Sequence, residues 1–203
     1  MKTTLASLGL LLTLTSAAQT CLFEDTLVTG ASISAGYGAR RGGPSLIIAE
    51  TIHPHARVDV QALGGRSSID IISELRPGPT PPSLVMAVDL FFWDAARNEC
   101  GAEFVASTTN FIASHLARGI PMVIGKIPVG ATFPEGIRIG SSTACGPQVN
   151  ALLESLCRPE ANCLLYNPRD CFTAMGGPTG YFFDELHTNQ FIADGRWRQL
   201  TCR

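Results

Sequence analysis

The sequence has little charge, and no part of it concentrates lysine and arginine. Charged residues make up 16% of the 203 positions, and the formal net charge is -2 at pH 7. Proteins that bind nucleic acid usually carry a basic patch or stripe that attracts the phosphate backbone. We therefore expect no nucleic acid among the partners of this chain.

The N-terminal region lacks an apolar run long enough to cross a bilayer, which takes about 20 residues. Its apolar stretch extends only from Leu5 to Leu14, between the positive start Met1-Lys2 and the small residues that end at Ala18. This layout is typical of a secretory signal peptide. We predict a signal over residues 1–20, with an approximate cleavage point, followed by one domain over residues 21–203.

The 7 cysteines are nowhere spaced as C-x-x-C, the spacing of many zinc sites and redox motifs. A metal site is therefore the weaker interpretation, and we expect none. All of the cysteines lie beyond the predicted signal, which fits disulfide bonds in an oxidising compartment. We predict a secreted or periplasmic monomer that is neither an integral membrane protein nor lipid-anchored through Cys21. The pairing of the cysteines stays open.

Strands and helices alternate along the sequence, with no internal repeat or low-complexity tract. The run Leu84 to Trp93 is almost entirely apolar, which is typical of a strand buried on both faces of a parallel sheet. The alternation predicts an α/β fold, a single-domain three-layer α/β/α sandwich around a five-stranded parallel sheet. Predicted strands cover 26–29, 58–63, 84–93, 121–127 and 163–166, and predicted helices cover 45–52, 67–75, 104–117, 149–156 and 190–200.

Ser32 lies in a turn of small residues that directly follows the first predicted strand. In open α/β sheets, ligands bind at the carboxyl ends of the strands. By itself, this pattern is more often an ordinary turn than a catalytic site.

Near the other end of the sequence, Asp184 precedes His187 by three residues. This spacing allows both side chains to share one face of a turn, where the carboxylate can orient the imidazole to accept a proton. A serine and an oriented histidine are the groups that nucleophilic acyl transfer requires. The alternatives are that Asp184 caps the following helix and that His187 is a surface residue.

These motifs together resemble those of the SGNH hydrolases, also called GDSL esterases and lipases. Residues 30–36 are similar to the family's first motif, Gly-Asp-Ser-(Leu or Ile) followed by small residues. Gly64 matches the family's glycine after the second strand, and residues 184–189 match its Asp-x-x-His motif with a following Asn. The resemblance spans nearly all of the mature chain and implies a flavodoxin-like topology.

The sequence departs from the family pattern at two places. Ala31 replaces the aspartate of the first motif, which removes a polar anchor behind the nucleophile. Residues 91–94 replace the third motif, Gly-x-Asn-Asp, so the asparagine that donates to the oxyanion is absent. Trp93 could donate its indole N–H in that place if the side chain turns inward. Asp94, which could equally cap a helix, and Asn98 are the other candidates for this part of the site.

The resemblance implies that Ser32 is the nucleophile, His187 the base and Asp184 the residue that orients it, with no cofactor. It also implies that the backbone N–H groups of Ser32 and Gly64 form the rest of the oxyanion hole. We expect a serine esterase that acts on small acyl esters, O-acetylated glycans or lysolipids. The alternative is a degenerate relative that binds a glycan or lipid without turning it over. Specificity would lie in predicted loops at 36–44, 130–145 and 167–181.

Overall fold

The computed structural model describes residues 23–36, 55–128 and 145–167. In these ranges the strands are β1 (Asp25–Gly30), β2 (Arg57–Ala62), β3 (Leu84–Ala87), β4 (Met122–Gly125) and β5 (Cys163–Tyr166). The helices are α1 (Ser68–Glu74), α2 (Phe92–Arg97), α3 (Ala102–Ala117) and α4 (Gly146–Leu156). The predicted signal, the helices at 45–52 and 190–200, and most of the three predicted loops lie outside the described residues.

The five strands form one sheet in the order β2-β1-β3-β4-β5, and all the neighbouring pairs are parallel. The predicted α/β fold with a five-stranded parallel sheet is therefore confirmed. The chain runs from β1 to β2 on one side and then returns to place β3 on the other side of β1. The carboxyl ends of β1 and β3 thus flank the position where the strand order reverses, which is where open α/β sheets bind their ligands.

Side chains that alternate along the central strands divide between two hydrophobic clusters, as expected for a sheet that is buried on both faces. Val85 and Ala87 of β3 belong to the larger cluster, which also receives Ile71, Phe111 and Leu153 from three of the helices. The other cluster contains Val28, Leu84 and Met86 with Phe23 and Val88. The described helices thus cover one face, and the residues of the other face are also buried.

The apolar run at 84–93 does not form one continuous strand, so this part of the prediction is wrong. Strand β3 ends at Ala87, and helix α2 begins at Phe92. An apolar run indicates burial but cannot distinguish a buried strand from a buried helix. Here Phe91 and Ala95 are fully buried in the larger cluster from a turn and a helix.

Two disulfide bonds join described cysteines. Cys100, between α2 and α3, bonds to Cys145, the residue before α4, and Cys157 bonds to Cys163 at the start of β5. The prediction of disulfide bonds is confirmed, and their pairing is a new observation. None of the described helices is long and apolar enough to span a membrane.

Candidate active site at the carboxyl ends of the strands

Ser32 lies in a tight turn that begins where β1 ends. The Ala35 N–H donates to the Ala31 carbonyl, and the Gly36 N–H donates to the Ile33 carbonyl, both at 3.0 Å. The Ser32 side chain is half-buried. The predicted nucleophile is therefore presented from the end of β1, beside the position where the strand order reverses.

The carboxylate of Asp89 holds this turn from the neighbouring strand. Asp89 follows β3 and is only 8% exposed. Its Oδ1 accepts hydrogen bonds from the Ala31 N–H (3.0 Å) and the Ser34 hydroxyl (2.5 Å). Its Oδ2 accepts hydrogen bonds from the N–H groups of Ile33 (2.8 Å) and Ser34 (3.3 Å). The residues on both sides of Ser32 are thus bound to one buried carboxylate.

Burial raises the pKa of Asp89, whereas the hydrogen bonds from Ser34, Ile33 and Ala31 act in the opposite direction by favouring the charged form.

The close approach of Asp89 requires a glycine at position 30. Gly30 has a φ of +154°, and a Cβ built on it would lie 2.2 Å from Asp89 Oδ1 and 2.4 Å from Ser34 Oγ. Any larger residue would occupy the space in which the carboxylate and the hydroxyl meet. The first glycine of the motif is therefore required because it leaves room for Asp89 and Ser34 to pack against this turn.

Gly64 lies beside Ser32, as the parallel sheet predicts for residues that follow β1 and β2. The Leu63 N–H donates to the Gly30 carbonyl at 2.9 Å, which extends the pairing of the two strands to their ends. A Cβ built on Gly64 would lie 3.7 Å from Ser32 Cβ. The structure thus brings together the two residues whose N–H groups the resemblance implies for an oxyanion hole.

Asp94 and Arg97 of α2 hold the turn that contains Gly64. Asp94 is fully buried. Its two carboxylate oxygens accept a hydrogen bond from the Ser68 N–H, at N–O distances of 3.2 Å and 2.9 Å. Burial raises the pKa of Asp94, and the bond from Ser68 partly opposes this change. The Arg97 guanidinium donates to the Gly65 carbonyl at 2.6 Å. Asp94 therefore acts as an acceptor for the start of α1 and presents no donor to an oxyanion.

Trp93 and Asn98 have different environments. The Arg97 guanidinium lies 5.1 Å from the centre of the Trp93 ring and also donates to the Gly65 carbonyl, so this one group contacts both the indole and the turn that contains Gly64. The Trp93 Nε1 is buried and makes no hydrogen bond with any residue in the described part of the chain. Asn98 instead ends α2 with a φ of 59° and is exposed. Of the two, only Trp93 offers a buried donor that has no partner among the residues the structure describes.

His187 and Asp184 lie outside the described residues, so the structure does not test whether they reach Ser32.

Asp89 is the site residue that sequence reasoning missed. Its apolar neighbours from Leu84 to Trp93 predict a buried strand at this position and give no sign of a site residue. An aspartate is almost never fully buried unless it has partners. A carboxylate within an apolar run therefore indicates a group that binds donors in the interior, and this signal was available in the sequence.

The sequence matches no protein-family model and no curated protein sequence. The fold, however, is similar to that of several solved esterases. An acetylxylan esterase from Geobacillus stearothermophilus, Axe2, superposes with a TM-score of 0.61 at 14% identity over 87% of this chain and 92% of that one. The psychrotrophic esterase EstA from Pseudoalteromonas sp. gives a TM-score of 0.60 at 17% identity over 88% and 97% of the two chains. TesA gives 0.58 at 20% identity over 86% and 97%.

These solved structures share the SGNH hydrolase fold, and the predicted likeness to that family is confirmed at the level of the fold. At such low identity the superpositions establish architecture alone. Assignment of an activity depends on the residues of the site.

Proposed function

We propose that this chain is a serine esterase of the SGNH type, which hydrolyses carboxylic esters through an acyl-enzyme. The observation that carries the proposal is the placement of Ser32 at the carboxyl end of β1, beside Gly64 and where the strand order reverses. The buried Asp89 holds the backbone around Ser32 in one conformation. A fold shared with several esterases supports the same chemistry.

In the proposed mechanism, Ser32 Oγ attacks the ester carbonyl while His187 accepts its proton. Asp184 orients the imidazole and stabilises its charged form. His187 then gives the proton to the leaving alcohol. Water, activated by the same histidine, releases the acid from Ser32.

The proposed oxyanion hole consists of the backbone N–H groups of Ser32 and Gly64 and the indole N–H of Trp93. Asp94 is not included, because its carboxylate accepts from Ser68 and a negative charge would repel the oxyanion. Asn98 is not included, because it lies exposed at the end of α2. The Trp93 indole N–H would supply the donor that the family's asparagine provides, and its lack of a partner within the described part of the chain supports this role.

The proposed substrates are small acyl esters, O-acetylated glycans or lysolipids. Axe2 is named as an acetylxylan esterase, which favours acetyl esters of glycans for the first substrate panel. Two disulfide bonds and the N-terminal signal pattern support secretion or a periplasmic location.

The test is the rate of hydrolysis of p-nitrophenyl acetate by the mature protein and by Ser32→Ala. We expect Ser32→Ala to lose the activity down to the rate of the buffer. A matched control is Ser155→Ala, because Ser155 is an exposed serine on α4 whose hydroxyl donates to the Leu152 carbonyl of the same helix. Equal rates for Ser32→Ala and the unaltered protein would refute the esterase proposal.

A second candidate is a protein that binds a glycan or lipid ester without turnover, and the absence of the third-motif asparagine favours it. The two candidates differ in a substrate panel that spans acetyl to long-chain esters and acetylated polysaccharides. Binding of a panel member, measured by calorimetry, without product formation would favour the second candidate.

A further inference from the structure

We propose that Asp89, which follows β3, is the positioning residue of this site and supplies the anchor that Ala31 cannot supply from the first motif. The inference rests on the proposed function and extends it to a residue that the resemblance does not assign. Ala31 has no side-chain acceptor, yet its own N–H is bound by Asp89 Oδ1 at 3.0 Å. The polar anchor of the turn is therefore provided by the segment that follows β3.

The hydrogen bonds of Asp89 account for the full acceptor capacity of a carboxylate. Each oxygen has two lone-pair positions. Oδ1 accepts from Ala31 and the Ser34 hydroxyl, and Oδ2 accepts from Ile33 and the Ser34 N–H. No lone pair is left to bind a substrate or a proton donor. Asp89 therefore acts on the reaction through the backbone of the turn and is not itself a catalytic residue.

The four hydrogen bonds surround the nucleophile without using its own N–H. Asp89 binds the N–H groups of residues 31, 33 and 34, and the Ser32 N–H is not among its donors. The backbone on both sides of Ser32 is thereby fixed relative to β3. The position of Ser32 relative to Gly64 and to the residues that follow β3 then depends on the buried carboxylate of Asp89.

Asparagine cannot replace Asp89 in this arrangement. An amide has one oxygen acceptor and one NH2 donor. With the NH2 in the place of Oδ2, two backbone N–H groups, those of Ile33 and Ser34, lose their acceptor. With the NH2 in the place of Oδ1, the Ser34 hydroxyl can rotate to accept from it, but the Ala31 N–H loses its acceptor. At least one buried donor next to Ser32 is left unsatisfied in either orientation.

The test compares Asp89→Asn with the unaltered protein in two measurements. The first is amide hydrogen exchange by NMR, in which we expect the N–H groups of Ala31, Ile33 and Ser34 to exchange faster in the variant. The second is the kinetics of p-nitrophenyl acetate hydrolysis, in which we expect kcat to fall about 10- to 100-fold with little change in KM, because the nucleophile is misplaced.

Ile112→Val is the matched control for an unspecific loss of stability, because Ile112 is buried on α3 in the larger hydrophobic cluster, and none of the residues of this cluster comes from the turn at 31–36. We expect it to lower stability while leaving both kcat and the exchange of residues 31, 33 and 34 near their original values. A fall in kcat in Ile112→Val equal to that in Asp89→Asn would overturn the positioning role.

The two measurements separate the inference from the proposed function. Unchanged exchange of residues 31, 33 and 34 in Asp89→Asn would overturn the inference, whatever the kinetics. Faster exchange with an unchanged kcat would overturn the role in catalysis. If the unaltered protein is no more active than Ser32→Ala, the proposed function fails, and the exchange measurement alone decides whether Asp89 holds the turn.

Discussion

Replacement of Gly30 by alanine tests whether the space between β1 and Asp89 is as tight as the structure shows. The new Cβ would lie 2.2 Å from Asp89 Oδ1 and 2.4 Å from Ser34 Oγ, far inside ordinary contact distance. The carboxylate would have to move by about 0.8 Å or more to reach the 3.0 Å below which such contacts are essentially never seen. Movement on this scale breaks its short hydrogen bonds to the Ser32 turn.

The expected loss of stability follows from those bonds. Each buried donor that loses its partner costs about 1–3 kcal/mol, so the loss of two gives about 2–6 kcal/mol for Gly30→Ala. We expect a matching fall in kcat for p-nitrophenyl acetate, because the turn that carries Ser32 changes position. Urea unfolding and steady-state kinetics measure the two effects.

Gly119→Ala is the control for the backbone alone. Gly119 also has a positive φ, +70°, but a Cβ there would meet no atom of the described residues within 4 Å. This variant should cost only about 1–2 kcal/mol of backbone strain and keep its kcat. The reasoning is refuted if Gly30→Ala is no less stable than Gly119→Ala and is equally active.

Three further variants test other parts of the account. Trp93→Phe keeps an aromatic ring but removes the buried indole N–H. We therefore expect kcat to fall about 10²-fold, while the free energy of unfolding changes by no more than about 1 kcal/mol. An unchanged kcat would show that Trp93 is not part of the oxyanion hole. Asp94→Asn removes a carboxyl whose pKa burial raises above 3.8, so the folded chain retains this proton to higher pH than the unfolded chain. The stability of the unaltered protein relative to this variant should therefore decrease as pH rises from about 4 through the raised pKa, and urea unfolding that shows an increase would contradict this. Ser67→Ala removes the N-cap of α1, where Ser67 Oγ accepts a hydrogen bond from the Asp70 N–H at 3.3 Å. We expect this variant to lower the free energy of unfolding by about 1 kcal/mol. An unchanged urea midpoint would contradict a stabilising role for this cap.

The sheet could be predicted because its strands carry strong local signals. Strand β5 has the bounds that the sequence predicts, 163–166, and α1 (Ser68–Glu74) lies within the helix predicted at 67–75. Such signals depend on neighbouring residues alone. The sequence could not show where the strand ends and the helix begins within the run at 84–93, because a buried strand and a buried helix both consist of apolar side chains.

The candidate site could be predicted where it follows from the order of the strands. Ser32 and Gly64 each lie two residues beyond the end of adjacent parallel strands, so their proximity follows from the topology. Asp89 could not be placed by a motif, because its contacts with residues 31, 33 and 34 join positions more than 50 residues apart. The partnership of Ser32 with Asp184 and His187 stays a prediction.

The most direct test of the central claim is the covalent capture of the nucleophile. A p-nitrophenyl alkylphosphonate reacts with an activated serine, which displaces p-nitrophenol and keeps the phosphonyl group on Oγ. The account predicts that intact-mass spectrometry will show one phosphonyl adduct per chain, that peptide mapping will place it on Ser32, and that Ser32→Ala will take up none. An unmodified protein, or an adduct that forms equally in Ser32→Ala, would contradict the account.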